Sequence, residues 1–145
     1  MKIAFDIGGV LSKFPGHFSP IVRQLGERYE IHVITDMHDR EEVARQLRVN
    51  GFSPPINLEN VHIADYAAHG EAAKAVILRE RVIDVLVDDF PGYLVWPWPT
   101  PAPLRLQVMP DPRRPYWHRT WDSGTESDFG RMVFMEDQVK EGGIG

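Results

Sequence analysis

Lys2-Ile3-Ala4-Phe5-Asp6-Ile7-Gly8-Gly9-Val10-Leu11 opens the chain with an apolar run that ends on a carboxylate. Residues 3 to 6 are apolar at consecutive positions with a polar tip, the pattern of a strand covered on both faces in a parallel sheet. Far downstream Val85-Leu86-Val87-Asp88-Asp89 repeats the design, a β-branched and leucine strand with an acidic end. Two strands of this kind imply a sheet whose carboxyl edge gathers acids, and the segments between them decide its topology.

Working outward from Asp6, Ser19-Pro20 reads as N-cap and first helical residue, with Phe18 just before it and Ile21, Val22, Leu25 and Tyr29 after it on one apolar face. Ile31 to Thr35 supplies a second strand. Asp39 with Glu42 makes a capping-box-like start, Val43, Ala44 and Leu47 form a stripe, and Asn50-Gly51 closes that helix. Val61 to Ala64 is a short third strand, Gly70 to Arg81 an alanine-rich helix, and Val82 to Asp88 a fourth strand. Alternation of strands and helices predicts an α/β fold: a single doubly wound parallel sheet with right-handed crossovers.

Composition changes after Phe90. Eight of the 12 prolines and all 4 tryptophans fall between Pro91 and Trp121, which excludes regular helix and predicts an extended, proline-stiffened excursion. Leu104 to Met109 is the fifth-strand candidate within it, and Met132 to Phe134 a further short one. The expected organisation is an α/β core over residues 1–92 and a Pro/Trp-rich extension over 93–145 that belongs to the same domain, completes the sheet and lids the site.

At 145 residues the chain suits one domain. Cysteine is absent, which removes disulfide frameworks, thiolate metal sites and cysteine nucleophiles, and favours a cytoplasmic home. No apolar run reaches transmembrane length and the N-terminus begins on a strand, so a soluble, unexported protein without membrane partners is expected. A net charge of -5 argues against general nucleic-acid binding, although Arg113, Arg114 and Arg119 make a local basic patch.

In an open parallel sheet ligands bind beyond the carboxyl ends of the strands, near the point where strand order reverses. Asp6, Thr35, Asp65, Asp88 and Asp89 all fall at or just past such ends. If the first and fourth strands are neighbours, Asp6 and Asp88 converge and repel unless a cation lies between them. Mg²⁺ suits that need, because it takes carboxylate and carbonyl oxygens and accepts substrate phosphate as a further ligand. Its ligands would be Asp6, the backbone carbonyl of Gly8, Asp88 and Asp89. Thr35 offers a hydroxyl to a phosphoryl oxygen, and Lys74 reaches the same place as a point charge. The bland alternatives are local: strand-end aspartates cap turns, strand-end threonines satisfy nearby backbone, and helical lysines are solvated. His32 and His62 read as surface or satisfied core residues, and His17, His38, His69 and His118 lack the spacing of a metal site.

These residues, in this order, resemble the haloacid dehalogenase superfamily. Its first motif, an apolar strand ending Asp-x-Asp-Gly-(Thr/Val)-(Leu/Val), is matched by Asp6-Ile7-Gly8-Gly9-Val10-Leu11; its second, a strand-end Thr or Ser, by Thr35. The third, a lysine ahead of the last core strand, is matched by Lys74, and the fourth, an acidic pair ending that strand, by Asp88-Asp89. The resemblance spans residues 1–92 and implies a Mg²⁺-dependent phosphomonoester hydrolase in which Asp6 attacks phosphorus. It further implies that Thr35, Lys74, Gly8 and Gly9 bind the phosphoryl group. The spacing from Lys74 to Asp89 is similar to the capless core of deoxyribonucleotidases, and openings with Gly in the third place resemble a sugar-phosphate phosphatase branch. A small nucleotide-like or sugar phosphate is therefore the expected substrate.

The departure is Gly8, which stands where the family's phosphatases carry their general acid. Three outcomes follow. Another group such as His17, His38 or Asp36 stands in; the substrate has a good leaving group; or the chain is a slow enzyme or a phosphate- or protein-binding module. The motif spacings leave no room for a large cap domain, so the Pro/Trp segment is expected to act as a lid, with Trp96, Trp98, Tyr116 or Trp117 stacking on substrate. The same segment is the expected surface of a homodimer. A phosphoacceptor receiver domain also gathers Asp and Lys at strand ends, but its acidic pair follows the first strand, the reverse of the order here.

Overall fold

The structure, a computed structural model, describes residues 1–95 and 102–109. The chain divides into a unit spanning Met1–Gln107 and a second spanning Val108–Gly145. The expectations placed on Trp96, Trp98, Arg113, Arg114, Tyr116, Trp117, His118, Arg119 and 132–134, and with them the lid and the homodimer surface, lie outside the described residues.

The first unit is an all-parallel five-stranded sheet flanked by helices, the doubly wound α/β arrangement expected from the alternation. In chain order its elements are β1 (Lys2–Phe5), α1 (Pro15–Gly26), β2 (Glu30–Thr35), α2 (Arg40–Val49), β3 (Val61–Ile63), α3 (Tyr66–His69), α4 (Ala73–Glu80), β4 (Val85–Asp88), α5 (Pro91–Leu94) and β5 (Leu104–Gln107). Strand order is β3-β2-β1-β4-β5. The chain winds outward from β1 to β3, returns to the other side of β1 for β4, and so reverses direction between β1 and β4. The fifth strand falls where the apolar run at Leu104 placed it, parallel to β4 with Asp88 opposite Gln107.

Both faces of the central strands are covered. Successive strand residues point to opposite sides, yet Ala4 and Phe5 in β1, Ile31 through Thr35 in β2 and Leu86 through Asp88 in β4 are all buried. Fully burying each Ile, Leu or Phe contributes about 1.5–3 kcal/mol, so the centre of the sheet fixes the register. On β1, Phe5 stands opposite Val33 of β2 and opposite Val87 of β4. No helix among the described residues is long and apolar enough to cross a membrane.

Several local expectations differ from the structure. Helix is not excluded after Phe90, because Pro91–Leu94 form α5 with Pro91 in its first turn, and β4 starts at Val85, not Val82. α1 begins at Pro15 with Phe14 as N-cap, so Pro20 lies inside the helix and Ser19 does not cap it. Pro15 holds the first helical position, where its missing N–H costs nothing, and the Phe14 carbonyl accepts the N–H groups of His17 and Phe18. The apolar face is also narrower than its spacing suggested: Val22 is buried and Phe18 packs edge-on against Phe5 at 5.9 Å, whereas Ile21 is 45% exposed. The helix expected from Gly70 to Arg81 is broken into α3, a 3₁₀ turn over Gly70–Ala72, and α4. Gly70, at φ 60° and ψ −138°, ends α3, and α4 starts afresh at Ala73. α2 follows its signals: the Asp39 carboxylate accepts from the N–H groups of Glu41 and Glu42, and Gly51 adopts φ +79° just past the C-cap. The Glu42 side chain turns instead to Arg45 and Gln46, so only half of a capping box forms.

Candidate metal centre

Because β1 and β4 are hydrogen-bonded neighbours in register, their exits bring Asp6 and Asp88 side by side, and Asp89 follows at once. The Asp6 N–H donates to the Val87 carbonyl at 3.0 Å, which extends the ladder to the carboxylate itself. All three acids are buried, with exposures of 7%, 0% and 4%. One carboxylate oxygen from each lies within 4.8 Å of the other two. Oxygens on opposite sides of one hard cation are about 4.2 Å apart for Mg²⁺ and about 5 Å for Ca²⁺, twice the metal–oxygen distance. The three acids therefore have the spacing and the donor chemistry to share an ion.

Lys74, the second residue of α4, is fully buried and sends its ammonium between the first two acids. Nζ is 2.9 Å from Asp6 Oδ1 and 2.6 Å from Asp88 Oδ2. The other Asp88 oxygen, Oδ1, accepts the Phe90 N–H at 3.0 Å, so that side chain is held from two directions. Burial opposes a charged lysine, but Asp6, Asp88 and Asp36 outweigh it and hold the ammonium above its ordinary range. Burial also dominates at Asp6, pushing its carboxyl well above the usual carboxylate range; Asp88 adds to the rise and Lys74 opposes it. Lys74 sets one positive charge against the two carboxylates it contacts, Asp6 and Asp88, and a divalent cation shared with Asp89 would add positive charge where burial and Asp88 disfavour the ionised Asp6.

The loop after β1 has a shape that its two glycines explain separately. Gly8 at φ −65°, ψ 130° and Gly9 at φ 74°, ψ −5° have the central dihedrals of a type II turn, which demands a positive φ at the second position. Gly9 is further required by a close approach: a Cβ there would lie 2.1 Å from Asp89 Oδ2. Gly8 has neither constraint. Its φ suits any residue, and a Cβ would meet nothing within 4 Å. The missing acid at this position is thus no requirement of the backbone.

Thr35 ends β2 beside β1 and is buried, its Oγ1 accepting the Met37 N–H at 3.2 Å. That leaves its hydroxyl hydrogen to donate elsewhere. Asp65 stands apart, exposed, and caps α3 by accepting from the Ala68 N–H. Between Asp6 and Thr35 lie one turn and α1; between Thr35 and Lys74 lie α2, β3 and short helical turns, with no inserted domain.

Sequence reasoning missed Tyr93. It lies in α5, directly beyond the acidic pair, with its ring centroid 4.6 Å from Lys74 Nζ and its hydroxyl donating to Asp36 Oδ2 at 2.9 Å. Burial, then Asp36, pushes its phenol far above the ordinary tyrosine range, so the hydroxyl stays protonated and donates. Phe90 packs edge-on against it at 5.0 Å and half-exposed Tyr66 at 6.3 Å. The available signal was Pro91, which fits the first position of a helix immediately after the acids. Gln107 of β5 adds a brace, its Nε2 donating to the Asp89 carbonyl at 3.3 Å.

No protein-family model, curated protein or solved structure matches this chain.

Proposed function

We propose that this chain is a Mg²⁺-dependent phosphomonoester hydrolase of the haloacid dehalogenase type, acting on a small nucleotide-like or sugar phosphate with Asp6 as nucleophile. The observation that supports it most is the Lys74 ammonium spanning Asp6 and Asp88 where the strand order reverses, with Asp89 beside them. Ligand crevices of open parallel sheets lie at that point. Residue by residue, each feature of the site has a role in this chemistry.

Asp6 attacks phosphorus, the bond to the leaving oxygen breaks, and the phosphoryl group passes to the carboxylate. Lys74 favours the ionised, nucleophilic form of Asp6 against its burial and offers positive charge to the transferring group. Thr35 donates its hydroxyl to a phosphoryl oxygen, and the side-chain-free Gly8 and Gly9 allow the backbone N–H groups to approach the same oxygens. Asp6, the Gly8 carbonyl, Asp88 and Asp89 would hold Mg²⁺, which neutralises charge on the phosphate when bound. With no domain inserted between the motifs, a substrate reaches the site from the carboxyl edge of the sheet.

The test is a panel of aryl, nucleoside and sugar phosphates assayed with and without Mg²⁺. Metal-dependent phosphate release that disappears in Asp6→Asn, while the fold and Thr35 remain intact, is the expected result. Gly8 favours a second reading, a binding module that retains the phosphate pocket without turnover. Calorimetric binding of metal or phosphate with no release from any substrate would select it.

A further inference from the structure

Hydrolysis of an acyl phosphate on Asp6 needs a group that takes a proton from water, and the glycine at position 8 supplies none. We propose that Asp36, held in place by Tyr93, is the general base that activates this water, an assignment that rests on the phosphohydrolase reading above. Asp36 follows Thr35 at the carboxyl end of β2, the strand beside β1. It is half-buried, and its one hydrogen-bond partner among the described residues is the Tyr93 hydroxyl on Oδ2. Oδ1 remains for a water.

The connection to the nucleophile runs through Tyr93. The phenol that orients Asp36 lies over the ammonium that contacts Asp6, so one buried ring, 3% exposed, links base, cation and nucleophile. Donation from the hydroxyl fixes the orientation of that carboxylate. The charge of Asp36 is felt at Asp6 and at Lys74, which places it within electrostatic reach of both. The other candidates are less well placed: His17 is exposed and packs edge-on against Phe14 at 6.0 Å, and His38 is exposed.

Atoms balance as follows. In the first step an oxygen of Asp6 bonds to phosphorus and the ester oxygen leaves with the bonding pair. In the second, Asp36 takes a proton from water, the resulting hydroxide bonds to phosphorus, and the bond between phosphorus and Asp6 breaks. Inorganic phosphate departs, Asp6 is again a carboxylate, and Asp36 returns its proton to solvent. With no acid at position 8, the first step is fastest for leaving groups stable as anions and slower for the sugar or nucleoside oxygen of the proposed substrates.

The experiment uses acetyl phosphate, whose leaving group needs no proton, on the full chain with Mg²⁺. Wild type should turn over. Asp36→Asn should release one equivalent of acetate in a burst, then slow by about 10²–10⁴-fold and accumulate protein heavier by one phosphoryl group in intact mass spectra. Tyr93→Phe keeps the ring over Lys74 but loses the hydrogen bond, and should show a smaller fall in steady-state rate with the burst preserved. Gly8→Asp in the Asp36→Asn background should restore turnover, since a side chain there meets open space. If Asp36→Asn turns over at the wild-type rate, or loses burst and turnover together while still binding Mg²⁺, the assignment of Asp36 is overturned and the nucleophile stands. If wild type itself gives neither burst nor turnover, the phosphohydrolase reading falls and takes this assignment with it.

Discussion

Gly9 and Asp89 approach so closely that a Cβ on the glycine would sit 2.1 Å from the carboxylate Oδ2. The turn after β1 and the exit of β4 are therefore pressed together, and the third acid of the cluster owes its position partly to an absent side chain. Gly9→Ala combines that clash with a φ of +74°, which alone costs about 1–2 kcal/mol for an L-residue. We expect a loss of about 2 kcal/mol or more in urea denaturation, together with weaker metal binding because Asp89 must move. Gly8→Ala is the contrast. At φ −65° with open space around the new methyl, it should stabilise by about 0.4–1 kcal/mol through the unfolded chain. Equal losses at the two positions would contradict the turn geometry.

Lys74 is the sole cation in contact with Asp6 and Asp88 among the described residues, and it is fully buried with them. Lys74→Met keeps much of the volume and removes the charge, leaving adjacent buried carboxylates to repel. A broken buried pair typically costs about 3–5 kcal/mol. Denaturation at pH 7 should show a loss of that size, and the loss should shrink in acid, where protonating the carboxylates removes the repulsion. A variant as stable as wild type at neutral pH would mean that the ammonium does not compensate the acids.

The sheet was legible because its signal is local. Ile3 to Asp6 and Val85 to Asp88 are continuous apolar runs with polar tips, and strands buried on both faces carry little else. The convergence of Asp6 with Asp88 followed from topology, since a β4 placed beside β1 aligns their ends. What sequence did not give was decided by competition between local signals or by distance along the chain. Ser19-Pro20 looks like a helix start, yet Pro15 offers an earlier one and the helix tolerates a second proline. Gly70 sits within an alanine-rich helical pattern, and its positive φ breaks that pattern in two. The pairing of Asp36 with Tyr93 spans 57 residues and has no periodic signature; it arises only when α5 folds back over Lys74.

His32 and His62, read from sequence as surface or satisfied core residues, form a buried pair joining β2 to β3. His32 Nδ1 and His62 Nε2 are 2.9 Å apart, and His32 Nε2 meets Glu30 Oε1 at 2.7 Å. Burial, with His32 and then Arg81 and Arg40 contributing, lowers the His62 pKa to about 4 from 6.5. A group whose folded pKa is depressed contributes stability that is present above its unfolded pKa and lost as pH falls through the folded one. The fold should weaken between about pH 6.5 and pH 4, by an amount on the order of 2 kcal/mol after allowing for the solvent around the pair. His62→Gln removes the titration, so its stability should vary less over that interval in parallel urea titrations. Identical slopes for the two proteins would remove His62 as the source.

The acidic cluster makes a prediction whose sign depends on the metal. Without a divalent ion, the raised pKa of Asp6 means that ionising it in the folded state is unfavourable, chiefly through burial and the neighbouring Asp88. Asp6→Asn removes that charge and should leave the metal-free protein as stable as wild type or more stable, despite the lost contact with Lys74. Adding Mg²⁺ or Ca²⁺ reverses the order. An ion bound by the folded state alone stabilises wild type by about 2.7 kcal/mol at a hundred times its dissociation constant, whereas the variant has lost one ligand and gains less. Asp88→Asn should lose the metal response in the same way, because its carboxylate is the most completely buried of the three. Thermal melts of the three proteins, first with chelator and then across a metal titration, separate these cases. A wild-type melting temperature unmoved by either ion would show that the folded protein does not bind it at these acids.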